Sequence, residues 1–108
     1  QNCTDQFTEL QLSNMHNMLG MVQKAMQQMA SVVEAILSGN HVDYNTSYNL
    51  ENEINNYRKQ LKNRNLQDVD AKLYSYQLGV FYIDFISECE KLGDYILNVV
   101  QATKAEKL

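Results

Sequence analysis

The sequence predicts an all-α fold, an antiparallel up-down-up bundle of three helices. Apolar residues recur at alternating steps of three and four along most of the chain, whereas the period-two alternation of a half-buried strand is absent. The 108 residues include no proline and only four glycines, which suits long, uninterrupted helices. A chain of this length builds one hydrophobic core, so residues 1–108 are expected to form a single domain.

The first helix is predicted over about residues 9–38. Thr8 followed by Gln11 resembles a capping box at its start, and Gly39 suits a left-handed position just after its end. Apolar residues at heptad spacing predict a core seam. This seam consists of Leu12, Met15, Leu19, Val22, Met26, Met29, Val33 and Ile36.

The second helix is predicted over about residues 44–72, with Asp43 as its N-cap. Its apolar line is Leu50, Ile54, Tyr57 and Leu61. The polar stretch 62–65 could end the helix early. A longer helix that continues through Leu66 and Val69 is preferred, because it gives all three helices a similar length.

The third helix is predicted over about residues 76–105, with Ser75 as its N-cap. It carries two stripes at steps of three and four, which together give a wide apolar face able to contact two helices. The first stripe is Tyr76, Val80, Ile83, Ser87, Glu90, Asp94 and Leu97. The second is Leu78, Tyr82, Phe85, Cys89, Leu92, Ile96 and Val99.

Two carboxylates interrupt the first of these stripes. Glu90 and Asp94 lie four residues apart, one above the other on the same helix face. A seam that faces a neighbouring helix should stay apolar, and a buried carboxylate without a partner is costly. Water, a cation or a basic side chain from another helix must therefore accompany this pair.

The second helix offers a matching set of oxygen donors. Glu51 and Asn55 are also four apart, and with a turn near Tyr74, Asn55 lies 19 residues before the turn and Asp94 lies 20 after it. Antiparallel neighbours bring such positions to one height. Oxygen ligands of this kind suit Mg²⁺, Mn²⁺ or iron.

An ordinary structural interpretation stays open beside the metal. The carboxylates could be solvated at the edge of the apolar arc, or Arg58 or Lys62 could pair with them as interhelical salt bridges. His16 and His41 are interpreted as surface residues. We expect no enzyme, because catalytic triad arrangements, phosphate-binding glycine loops and zinc-ligand spacings are all missing.

Charge and cysteine content limit the classes of partner and compartment. The net charge is −4, and no basic stripe is present to neutralise phosphates, which argues against nucleic acid. No apolar run approaches the roughly 20 residues of a bilayer-spanning helix. A Cys3–Cys89 disulfide is not expected, because Cys89 lies on an apolar stripe and is interpreted as a small buried hydrophobic residue. Two cysteines without a disulfide fit reducing conditions, and these favour the cytoplasm.

The same residues resemble a known family. The sequence Glu90-Lys91-Leu92-Gly93-Asp94 followed by Asn98 is similar to the Glu-Arg-Ile-Gly-Asp…Asn signature of the PhoU phosphate-uptake regulators. Two further stretches resemble the C-terminal, cytoplasmic PhoU-like domain of bacterial Na⁺/phosphate cotransporters. These are Ser75…Gly79…Tyr82-Ile83-Asp84…Ser87 and Glu51…Ile54-Asn55…Tyr57-Arg58…Leu61.

The resemblance implies one three-helix repeat of a non-enzymatic regulatory domain. Such a domain lies on the cytoplasmic side of the inner membrane and modulates phosphate uptake by the transporter portion of the same chain. It also implies a divalent or iron cation on Glu51, Glu90 and Asp94, with Asn55 and Asn98 as further donors. The alternatives are a free-standing PhoU-type regulator and a helical interaction module without metal.

Two departures from the family pattern bear on the site. Asn55 stands where a second acid is common, which weakens a metal cluster. Lys91 replaces an arginine and cannot make the same bidentate contacts.

The wide apolar face of the third helix also predicts association. Two helices cannot cover all of it, since Phe81 and Phe85 lie on a different side from Ile83. We therefore expect self-association or a second repeat of the same kind.

Overall fold

Three long helices make up the computed structural model, which describes residues 6–106. They are α1 (Glu9–Ser38), α2 (Asn45–Asp70) and α3 (Tyr76–Glu106). Every helix contacts the other two, and the bundle measures 58 × 20 × 16 Å. The predicted all-α three-helix bundle is confirmed.

The ends of α1 are fixed by the two devices that the sequence predicts. The Thr8 hydroxyl accepts a hydrogen bond from the Gln11 backbone N–H (3.0 Å), and the Gln11 side chain accepts one from the Thr8 backbone N–H (2.8 Å). Together these bonds form a capping box, which satisfies two N–H groups that the helix leaves free. At the other end Gly39 has φ = 73°, a left-handed conformation that glycine adopts without a steric penalty.

The caps of α2 and α3 differ in detail. Asp43 was predicted as the N-cap of α2, but Tyr44 occupies that position and has no side-chain cap bond. The Asp43 carboxylate acts from one residue earlier and accepts a hydrogen bond from the Thr46 backbone N–H (3.2 Å). Ser75 caps α3 as predicted, because its hydroxyl accepts a hydrogen bond from the Leu78 backbone N–H (3.0 Å).

The predicted core seam of α1 is half wrong. Met15, Val22, Met29 and Ile36 do contact or belong to the core. Leu12, Leu19, Met26 and Val33 are exposed, and the residues that precede each of them, Gln11, Met18, Ala25 and Val32, are buried instead. Two interleaved seams share the same four residues. The predicted seam has the larger apolar side chains, and for this reason the sequence favoured it. The buried seam includes the small Ala25 and the capping residue Gln11, which make it look less apolar.

The core of α3 also lies to one side of the first predicted stripe. Ile86 and Val100 are fully buried, and Tyr76 and Val80 of that stripe are exposed. Glycines explain the difference, because Gly79 and Gly93 occupy core positions that look like gaps in an apolar pattern. A Cβ atom on Gly93 would lie 3.2 Å from Ile54 Cδ1, and one on Gly79 would lie 2.8 Å from Val69 Cγ2. The glycines therefore let α2 and α3 approach closely.

A polar contact fixes the relative heights of the helices. The Tyr57 hydroxyl donates to Asn14 Oδ1 (3.0 Å), and Asn14 Nδ2 donates to the Tyr82 hydroxyl (3.0 Å). Asn14 and Tyr82 are 68 residues apart, and so are Val32 and Val100, which share the second core cluster. In the up-down-up order α1 and α3 run parallel, with this offset of 68 residues.

Cys89 is a free, buried thiol, and Cys3 lies outside the described residues. Within residues 6–106, none of the helices combines the length and the apolar content needed to cross a bilayer.

Candidate carboxylate site

Three carboxylates converge between α2 and α3. One oxygen each from Glu51, Glu90 and Asp94 lies within 4.8 Å of the others. Glu51 comes from α2 and the other two come from successive turns of α3. The close approach of Gly93 to the Ile54 side chain occurs at this height, so the packing of Ile54 against the Gly93 backbone brings the acidic side chains together.

The site lies beside the core rather than in it, which corrects its placement on a core seam. On α3 the core passes through Cys89 and Gly93, each one residue before a site residue. The Glu90 side chain is 17% exposed, and Glu51 is half-buried. Water therefore reaches the cluster, and the desolvation cost is smaller than it would be in the core.

Mutual repulsion and burial disfavour ionisation of the two glutamates. Burial raises the pKa of Glu51, and the hydrogen bonding and charge of Asp94 and the charge of Glu90 raise it further. Burial also raises the pKa of Glu90. Asp94 adds to this rise, and the positive charges of Arg58 and Lys91 oppose it. A bound proton or a cation therefore stabilises the cluster.

Arg58 is the positive group nearest the cluster. Its Nε atom lies 3.9 Å from Glu90 Oε1, too long for a hydrogen bond. This buried Nε has no hydrogen-bond partner among the described residues. The Nη2 atom of Arg58 donates a hydrogen bond to Asn55 Oδ1 at 3.4 Å. Arg58 thus neutralises one edge of the site without direct hydrogen bonds to its carboxylates.

The remaining residues that the sequence analysis considered for this site have other partners or are exposed. Asn55 is half-buried and bonded to Arg58, and Asn98 is exposed. Lys91 pairs with Glu88 at 2.9 Å on the surface. Of the two alternative bases only Arg58 pairs with Glu90 in the structure. His16 and His41 are both exposed.

The donor set fits a hard cation. Three carboxylates provide the oxygen ligands that Mg²⁺ and Mn²⁺ prefer. Two oxygens bound to one ion at about 2.1–2.4 Å lie at most about 4–5 Å apart, and the 4.8 Å limit on the present spacing is close to that range. Small side-chain movements would complete the geometry, and Glu51, Glu90 and Asp94 would be the ligands.

Sequence reasoning missed the role of the glycines in building the site. Gly79 and Gly93 are 14 residues apart, two heptads, and this spacing was the available signal that both face the same neighbour.

No family model matches the chain, and no match was found among curated proteins or solved structures. The resemblance to PhoU-like domains therefore depends on the motif residues themselves.

Proposed function

We propose that this chain is a non-enzymatic, PhoU-like regulatory domain that acts on phosphate uptake. In this proposal it forms the cytoplasmic end of a Na⁺/phosphate cotransporter, and Glu51, Glu90 and Asp94 bind a divalent or iron cation. The observation that carries the proposal is the convergence of Glu51 with the acidic pair of α3, the same three positions to which the family resemblance assigns metal.

The arrangement suggests how a cation would act. Its ligands come from two helices, so binding would hold α2 against α3 at the height of Gly93. A cation that binds only the folded bundle stabilises it in proportion to occupancy. The metal would thus control the rigidity of the surface that α2 and α3 present to the transporter portion.

Phosphate uptake by cells that express the full-length protein tests the regulatory part of the proposal. Asp94→Asn should change the rate or the phosphate dependence of uptake, because it removes one ligand. The matched control is Asp84→Asn, the same substitution at an exposed position of α3. Equal uptake by the unmutated protein and both variants, at equal expression, would contradict the proposal.

The second candidate function is a helical interaction module without metal, and one contact favours it. Arg58 already lies 3.9 Å from Glu90 and offsets part of the negative charge. In that case Asp94→Asn should alter stability equally with and without chelator. A free-standing PhoU-type regulator is distinguished by the full-length reading frame, which would then lack hydrophobic segments before this domain.

A further inference from the structure

Exposed apolar side chains form one row along α1. Leu12, Leu19, Met26 and Val33 are spaced by seven residues, and between 36% and 52% of each side chain is exposed. Each follows a buried residue by one position, which places the whole row on one flank of the helix core, about 100° from those residues. The opposite flank faces α2, because Asn14 and Asn17 both hydrogen-bond the Tyr57 hydroxyl. The row therefore lies on the side of α3.

A second row follows α3 with the same period. Leu78, Phe85, Leu92 and Val99 each precede a core position by one residue, and exposure increases from Leu78 to Leu92. The other flank of α3 faces α2, where Ile83 and Val80 border a groove with Leu66. This second row therefore lies on the side of α1.

The two rows run side by side at matching heights. With the offset of 68 residues between α1 and α3, Leu19 lies two residues, or about 3 Å, above Phe85. The same relation holds for Met26 with Leu92 and for Val33 with Val99. Leu78 is buried and Phe85 is half-buried, so the exposed part of the two rows continues through the neighbouring Phe81 and Tyr95. We call the surface formed by the eight exposed side chains the α1–α3 face: Leu12, Leu19, Met26, Val33, Phe81, Leu92, Tyr95 and Val99.

The area of the α1–α3 face exceeds what a monomer usually leaves exposed. Each of its eight exposed side chains has about half of its surface accessible to solvent. A free side chain of this size has an accessible surface of roughly 150–250 Å², so the eight together expose on the order of 700 Å². The largest apolar patch of a typical monomer covers about 300–600 Å². A stable interface buries about 800 Å² on each partner, which is close to the area of this face.

Charge argues for a second copy rather than a lipid surface. Peripheral membrane helices carry lysine or arginine beside their apolar face, whereas α1 contains one basic residue, Lys24, and the chain has a net charge of −4. Glu88, three residues after Phe85 on α3, borders this face and is paired with Lys91 at 2.9 Å. Eight charged residues lie on α2 and three on α1, namely Glu9, Lys24 and Glu34, so α1 is the least charged helix of the bundle.

We propose that the α1–α3 face binds the same face of a second copy of the chain in a two-fold symmetric dimer. Two parallel helices placed on an identical pair across a two-fold axis perpendicular to them run antiparallel to that pair and make a four-helix layer. The proposal is independent of the carboxylate site, which lies between α2 and α3 on the other flank.

Sedimentation velocity across a concentration series tests the dimer. The unmutated chain should sediment as a species with about twice the 12.5 kDa mass of one chain. The variants Leu92→Glu and Met26→Glu should each sediment as monomers. The matched control is Leu66→Glu on α2, which places the same charge at a similarly exposed leucine and should leave the dimer intact. Circular dichroism identifies any variant that fails to fold, and the other variant then decides the test.

Three results would overturn the proposal. One is a monomer at every concentration up to the millimolar range. Another is a dimer that Leu66→Glu disrupts while Leu92→Glu and Met26→Glu leave it unchanged. The third is a monomer that cosediments with phosphatidylcholine vesicles and loses this binding in Leu92→Glu, which would assign the face to a lipid surface.

Discussion

The Arg58 guanidinium lies 3.9 Å from the Glu90 carboxylate and connects α2 to α3 next to the acidic cluster. Both side chains are mostly buried, with exposed fractions of 24% and 17%. The pair therefore sets the charge balance of the site, one positive group against three carboxylates. This balance leaves the cluster with excess negative charge, which a proton or a metal cation can offset.

Removal of the Arg58 guanidinium should leave the negative charge of the carboxylate cluster without its positive partner. Arg58→Met keeps most of the side-chain volume and should lower the free energy of unfolding at pH 7 by about 1–2 kcal/mol, since it leaves a partly buried carboxylate without its partner. Chemical denaturation in chelator measures the change. Lys59→Met, at an exposed neighbouring position, should have little effect, and equal losses for both variants would contradict this role of Arg58.

The pH dependence of stability should report the crowding of the carboxylates. The pKa of Glu51 is raised above its usual 4.5 in the folded protein, so the folded state holds this proton more tightly than the unfolded state. The stabilising contribution is complete below about pH 4.5 and is lost as the pH rises through the higher folded pKa.

Glu51→Gln should therefore raise the thermal midpoint at pH 7.5 in chelator and have little effect near pH 4. The rise should be only a few degrees, because solvent screens partly exposed carboxylates. Glu53→Gln, at an exposed position of the same helix, is the control. A loss of stability at pH 7.5 in Glu51→Gln would show that the carboxylate is stabilising there, contrary to this account.

Gly20 and Gly79, two of the three glycines that lie in helices, should respond in opposite ways to alanine. Gly20→Ala meets no atom within 4 Å and should stabilise the protein by about 0.5–1 kcal/mol, the usual preference for alanine in a helix. At Gly79 the new Cβ would lie 2.8 Å from Val69 Cγ2, so the stiff Val69 side chain or the helices must shift and stability should decrease. Thermal unfolding of the two variants checks both signs, and stabilisation by Gly79→Ala would refute the close approach.

The register of α1 can be tested with two adjacent residues. Met18 is fully buried and Leu19 is 43% exposed. Met18→Ala should cost about 2–5 kcal/mol because it leaves a cavity, and Leu19→Ala should cost less than about 1 kcal/mol at concentrations where the chain is monomeric. Equal costs, measured by denaturant unfolding, would support the seam predicted from the sequence instead.

Helix number, helix order and the two caps of α1 could be predicted because they depend on local signals such as Thr8 with Gln11 or the glycine at position 39. The register could not, because Met18 and Leu19 are both apolar and only the neighbouring helices decide which one is buried. The same limit applies to α3, where Gly93 occupies a core position without contributing apolar character.

The candidate site could likewise be predicted only in part. The equal heights of Asn55 and Asp94, and with them the convergence of Glu51 on the acidic pair of α3, could be predicted from the helix lengths and the antiparallel order. Their degree of burial could not, because it depends on the rotation of α3, which the glycine contacts set.

Binding of one divalent cation by Glu51, Glu90 and Asp94 can be measured by a Mn²⁺ titration with isothermal calorimetry on chelator-treated protein. We expect saturable binding with one ion per chain. Asp94→Asn should abolish or greatly weaken this binding, and Asp84→Asn should not. An absence of saturable heat, together with the same thermal midpoint in excess chelator and in excess Mn²⁺, would contradict the proposed metal site and leave Arg58 as the partner of the acidic cluster.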